Sequence, residues 1–154
     1  MKPFYRTILM TLLLLLAQAC SDDGSPEDQI RGLIDSAVQT AEDRSLDGLN
    51  DLLHDDFIDQ HGNNRQQLAR LLRAYFFRHK SLHLFARIDS IEMLSANQAS
   101  VSLHVAMAGT VISDVSALTS LSARIYRFEL QLVKQGDWRL RHASWEPASI
   151  GVFE

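Results

Sequence analysis

Residues 82–93 run Leu82-His83-Leu84-Phe85-Ala86-Arg87-Ile88-Asp89-Ser90-Ile91-Glu92-Met93, and their period decides the fold. Leu82, Leu84, Ala86 and Ile88 alternate with His83, Phe85, Arg87 and Asp89, the period of two that marks a strand with one buried face. The phase then slips, because Ile91 and Met93 are the next apolar residues. A bulge near Asp89-Ser90 in one long bent strand accounts for the slip. Upstream of Lys80 the period is 3.6, and downstream it stays at two. The chain therefore passes from its helices to its main run of strands at about Lys80.

Working back toward the N-terminus, Leu68, Leu71, Leu72, Tyr75 and Phe76 form the inner stripe of a helix, with Arg65, Arg70, Arg73 and Arg78 off it. Asn64 and Gln67 make a capping pair for that helix, after a turn at His61-Gly62-Asn63. Phe57-Ile58-Asp59 reads as a short strand, and Asp55-Asp56 breaks the helical segment before it. Ser45 caps a short helical segment carrying Leu46, Leu49, Leu52 and Leu53. Ser25-Pro26-Glu27-Asp28 starts the first helix, and Ile30, Leu33, Ile34, Ala37, Val38 and Ala41 give it one apolar stripe ending near Asp43-Arg44.

Working forward, Asn97 marks a turn, and Val101, Leu103, Val105 and Met107 define the next half-buried strand. Gly109 to Ser122 is a loop in which Asp114 caps one turn carrying Val115, Leu118 and Leu121. Tyr126, Phe128, Leu130 and Leu132 give the following strand, and Trp138, Leu140 and His142 the last. A two-residue turn at Gln135-Gly136 would set Leu132 against Arg139. A three-residue loop, with Gly136 left-handed, pairs Leu132 with Trp138, Leu130 with Leu140 and Phe128 with His142, which places His142 inside.

Helices followed by an antiparallel meander make an α+β layout. The helix order, the Asp55-Asp56-Phe57 run, the Gly62 turn and Gly136-Asp137-Trp138-Arg139-Leu140 resemble the nuclear transport factor 2-like superfamily, which includes polyketide cyclases and ketosteroid isomerases. The likeness covers about Pro26 to Pro147. It implies a cone in which N-terminal helices pack on a curved antiparallel sheet of four strands plus one short strand, with a pocket between them. It carries over no catalytic set residue by residue, and the fold hosts enzymes, binders and dimerisation modules alike.

The first 20 residues do not belong to that domain. Lys2 and Arg6 precede Ile8 to Leu16, an apolar run shorter than the ~20 residues a helix needs to cross a bilayer. A basic start, a short apolar run and small residues are the marks of an export signal. The run ends Leu16-Ala17-Gln18-Ala19-Cys20. Ala17 and Ala19 suit ordinary signal cleavage, and small residues before Cys20 also resemble the lipobox of bacterial lipoproteins, although Ala17 stands where Leu is usual. Cys20 is the single cysteine of the 154 residues, so it has no internal disulfide partner, and lipidation gives an exported lone thiol a role. The expected organisation is a signal peptide over 1–19, a lipidated Cys20 with a short tether over 20–25, and a domain over 26–148. The anchored domain would face the periplasm, with Ser21 favouring the outer membrane; a soluble periplasmic protein is the alternative.

Apolar residues make up 46% of the chain and charged residues 22%, which excludes a disordered chain. Lys2 and Arg6 lie in the leader, so 13 basic and 19 acidic residues remain, a formal charge of −6. That excess of acid argues against nucleic acid as a partner. Asp59, Tyr126 and His142 are the candidates for proton transfer inside the implied pocket; the structural alternative has Asp59 in solvent, Tyr126 in the core and His142 bonded to a carbonyl. His79 and His83 are four apart, but the helix ends near them and no third ligand accompanies them, so no metal or cofactor is expected. Asp51, Asp55, Asp56 and Asp59 lack the spacing of a calcium loop. The function expected is a membrane-anchored lipoprotein whose domain binds a small apolar ligand or a partner, a second copy included. The alternative is an isomerase, dehydratase or cyclase working through Asp59, Tyr126 and His142.

Overall fold

A computed structural model describes residues 24–112 and 123–153. The leader, Cys20 and the turn carrying Val115, Leu118 and Leu121 lie outside the described residues. Helix α1 spans Pro26–Glu42, α2 Leu46–Asp51 and α3 Arg65–Arg78; strand β1 spans Leu53–Asp59, β2 His83–Ser95, β3 Gln98–Ala108, β4 Arg124–Gln135 and β5 Asp137–Ala148. The strands form one sheet in the order β1-β5-β4-β3-β2, antiparallel throughout except for the parallel β1–β5 pair. Helices first, then a curved sheet: the α+β cone is the observed architecture.

Local chemistry sets the helix ends. Ser25 and Asp28 cap α1 reciprocally, Ser45 Oγ accepts from Gly48 N–H, and Asn64 and Gln67 close a second reciprocal box at α3. These helices dock because Ile30 and Ile34 of α1 and Phe76 of α3 are buried. Burial of each such side chain contributes about 1.5–3 kcal/mol. Among the described residues no helix is long and apolar enough to cross a membrane.

The bulge expected near Asp89-Ser90 is present, as a register shift between Ile88 and Ser90. Elsewhere β1 and the last hairpin differ from the sequence expectation. Leu53 belongs to β1, not to the short helix, because Leu140 N–H already donates to Leu52 O at 2.9 Å and starts the β1–β5 ladder there. Asp55 and Asp56 lie beyond the short helix, as expected, but within β1, where they stand exposed as a charged pair on the edge of the sheet.

The last hairpin takes a different register from the one expected. Gly136 is left-handed, with φ 79°, but the hairpin is tighter than the three-residue loop, and Gln135 stands opposite Asp137. Leu132 therefore pairs with Leu140, and a bulge at Arg141 then sets Leu130 against Ala143 and Phe128 against Trp145. Apolar still meets apolar, by a different route. Trp138 faces Lys134, whose Nζ sits 5.8 Å from the indole centroid. The bulge turns His142 to the face opposite Leu140 and Ala143, paired with exposed Gln131.

The inner face of the sheet holds the main core, built around Val101, Leu103, Leu130, Leu132 and Trp138 with Ile30 and Ile34 over them. A smaller apolar cluster lies on the outer face. There the 3-10 helix Ile150–Phe153 brings Phe153 against Ala106 and Ile125, with the Phe85 ring 5.6 Å away. The packed chain thus runs past residue 148.

Candidate functional site

Between α1, α3 and the inner sheet face lies a cavity of about 440 Å³. Its size is that of sites for drug-sized molecules. Ala37, Val38 and Ala41 of α1 line one side, Leu68, Leu72 and Tyr75 of α3 another, and Leu103, Val105, Tyr126, Phe128, Leu140 and Trp145 the sheet wall. The space exists because α1 presents small residues where a Leu would fill it. Phe128 stands 6.0 Å from Trp145 and 6.5 Å from Tyr126, ring centre to ring centre, so aromatic rings form much of the wall.

Polar side chains are few in this lining. The phenols of Tyr75 and Tyr126, the indole of Trp145 and the guanidinium of Arg124 are the polar groups among the described lining residues. Arg124 opens β4 and is exposed while it lines the cavity, which puts it at the rim. Tyr75 and Tyr126 are half-buried.

The three residues singled out from the sequence do not converge: Asp59 and His142 lie one position out of register on the paired strands β1 and β5, facing opposite sides of the sheet, and Tyr126 stands apart from both. Tyr126 lines the cavity. Asp59 is 3% exposed, yet its carboxylate is taken up by its own turn. Oδ1 accepts from the backbone N–H of His61 at 2.8 Å and of Asn63 at 2.9 Å, and Oδ2 accepts from Asn63 Nδ2 at 2.9 Å. Burial pushes the Asp59 carboxyl up, but the hydrogen bonds from the Asn63 amide and from the Asn63 and His61 backbone outweigh it. The carboxyl is held below the usual carboxylate range. His142 lies opposite Gln131, five residues along β4 from Tyr126, so about 17 Å separate the two backbone positions. Proton transfer shared between them lacks hydrogen-bond reach.

His79 caps the end of α3 and lies 4.3 Å from the Tyr75 ring, while His83 opens β2 with Nδ1 3.9 Å from Glu42 Oε1. Among the described residues no group of three His, Cys, Asp or Glu side chains is placed to hold a metal. Arg124 is a lining residue beyond the three sequence candidates. The signal was available: Arg124, Tyr126 and Phe128 alternate on one strand face, so a pocket at Tyr126 implies a cation two residues away.

No family model matches the sequence, and no curated protein matches it. Solved structures do match. A protein of Novosphingobium aromaticivorans provisionally named a scytalone dehydratase aligns with TM-score 0.66 and 14% identity, over 80% of this chain and 84% of that one. A ketosteroid isomerase-like protein of Erwinia carotovora atroseptica aligns with TM-score 0.60 and 13% identity, over 82% and 99%. An NTF-2 like protein of unknown function from Shewanella oneidensis aligns with TM-score 0.57 and 19% identity, over 78% and 98%. The fold is nuclear transport factor 2-like. Identities this low establish the fold alone, and the cavity of the cone sits between its helices and its sheet as the resemblance implied.

Proposed function

We propose that the chain is a binding module for a small apolar molecule, held at a periplasmic membrane face by lipid on Cys20. The observation that carries the binding half is the cavity itself, whose lining is aliphatic and aromatic except at its rim. Burying an apolar ligand there is favourable at roughly 25 cal/mol for each Å² removed from water. The anchoring half rests on the leader and the lone Cys20.

The pocket-enzyme reading draws on the names of two structural neighbours and on Tyr126 in the cavity wall. It needs a base beside that phenol. Asp59 is spent on its own turn and His142 is on the other face, so the binding reading is the better supported.

Native mass spectrometry of the protein extracted from membranes tests both halves. The expected spectrum shows cleavage before Cys20, added acyl mass on it, and a retained or readily loaded apolar molecule. An intact leader or a bare thiol defeats the anchor; failure to take up a neutral apolar probe such as N-phenyl-naphthylamine defeats the binding module.

A further inference from the structure

The inner face of β4 is graded along its length. Arg124, Tyr126, Phe128 and Leu130 follow one another on that face, opposite Met107, Val105, Leu103 and Val101 of β3. Charge stands at the rim, a phenol next to it, then an aromatic ring, then aliphatic floor. Arg124 and Phe128 are four residues apart, about 13 Å of strand. Arg124 is the one charged side chain among the described residues of the lining, and it has no ion pair or hydrogen bond among the described residues.

We propose that the cavity takes an elongated apolar molecule ending in a single anionic head, with its body against Tyr126, Phe128 and Trp145 and its head paired to Arg124. This rests on the reading of the domain as a binding module and specifies its ligand. A guanidinium offers planar, paired donors that suit a carboxylate or a phosphate. The low-dielectric wall behind the rim strengthens that attraction relative to an ion pair in open water. The Tyr126 hydroxyl, on the same face, can donate to the same head. An acidic partner at the floor would find no donor, so the gradient also fixes orientation: apolar end inward, head outward.

The test compares two ligands of equal chain length, decanoate and decanol, on the purified full chain. The shift in tryptophan emission as solvent leaves the cavity follows binding, because Trp145 lines it. Wild type is expected to bind decanoate about tenfold more tightly than decanol, the ratio that one good charge-assisted contact supplies. Arg124→Gln is expected to erase the preference, weakening decanoate about tenfold and decanol far less, since a neutral hydroxyl gains little from the guanidinium. Arg124→Lys keeps the charge and is expected to retain part of the preference, which guards against a folding defect in the first variant. Equal affinity of wild type for both ligands, or a preference that survives Arg124→Gln, overturns the proposal while leaving the binding module intact. Binding of neither ligand overturns the binding module itself.

Discussion

Asn63 gives Asp59 its backbone N–H at 2.9 Å and its side-chain amide at 2.9 Å, so one residue satisfies both oxygens of a buried carboxylate. The pair closes the turn between β1 and α3 and thereby sets where α3 starts over the cavity.

Replacing Asp59 by Ala is expected to cost about 1–2 kcal/mol, since the part-buried N–H groups of His61 and Asn63 lose their acceptor. The pH dependence has a definite sign. The folded carboxyl is held below its ordinary value, so its contribution is fully present above about pH 4 and fades as the pH falls through the lower, folded value. Urea unfolding of wild type and Asp59→Asn, at neutral pH and in acid, checks this. The stability gap between them should narrow in acid. A gap independent of pH would contradict it.

Arg44 sits just past α1 with φ 57°, a left-handed conformation uncommon for a side chain this large. Its guanidinium donates to Phe76 O at 2.8 Å and to Lys80 O at 3.0 Å, capping the last turn of α3 with a cation where the helix dipole favours one. Arg44→Ala keeps the backbone strain and loses the cap, and should destabilise by about 1.5–3 kcal/mol. Arg44→Gly loses the same cap but relieves the strain, and should recover about 1 kcal/mol of it. Thermal or urea unfolding of the two variants side by side gives the difference. A glycine variant no more stable than the alanine one would show that the strain is not there.

The helices, their caps and the bulge in β2 were legible because each is written in nearby residues: Ser25 with Asp28, Asn64 with Gln67, the phase slip between Ile88 and Ile91. The last hairpin was not. Its register depends on the bulge at Arg141, and an alternating pattern cannot tell a two-residue shift from a bulge plus a different turn, since both keep leucine against apolar neighbours. That ambiguity is what put His142 inside. Asp59 was misleading for another reason. A carboxylate at the end of a short strand beside an implied pocket looks like a pocket acid, whereas Asx-type bonding to its own turn is decided by backbone geometry. The short 3-10 helix past residue 148 is a matter of length: four residues carry too little period to read.

Ala37 lines the cavity on α1, where a larger side chain would project into the open space. Ala37→Leu should fill part of it. Unfolding free energy is expected to stay level or rise by about 0.5–2 kcal/mol, as cavity-filling substitutions do. Uptake of a neutral apolar probe should fall at least several-fold in the same variant. Stability lost without any change in uptake would mean that the cavity is not the binding site.

Phe153 and the cavity lie on opposite faces of the sheet, and this separates stability from binding. The ring meets Phe85 at 5.6 Å and His104 at 6.2 Å, and the Arg87 guanidinium carbon stands 5.3 Å from its centroid. It is 7% exposed, so Phe153→Ala removes a buried ring and should cost about 3 kcal/mol, the low end for such truncations because the long Arg87 side chain can settle into the gap. None of the residues it touches lines the cavity, so affinity for an apolar probe, measured where the variant is still folded, should match wild type within about twofold. A large loss of affinity at full folding would mean that the two faces are coupled through β3, whose Ala106 packs under Phe153 while its neighbours Val105 and Met107 line the cavity.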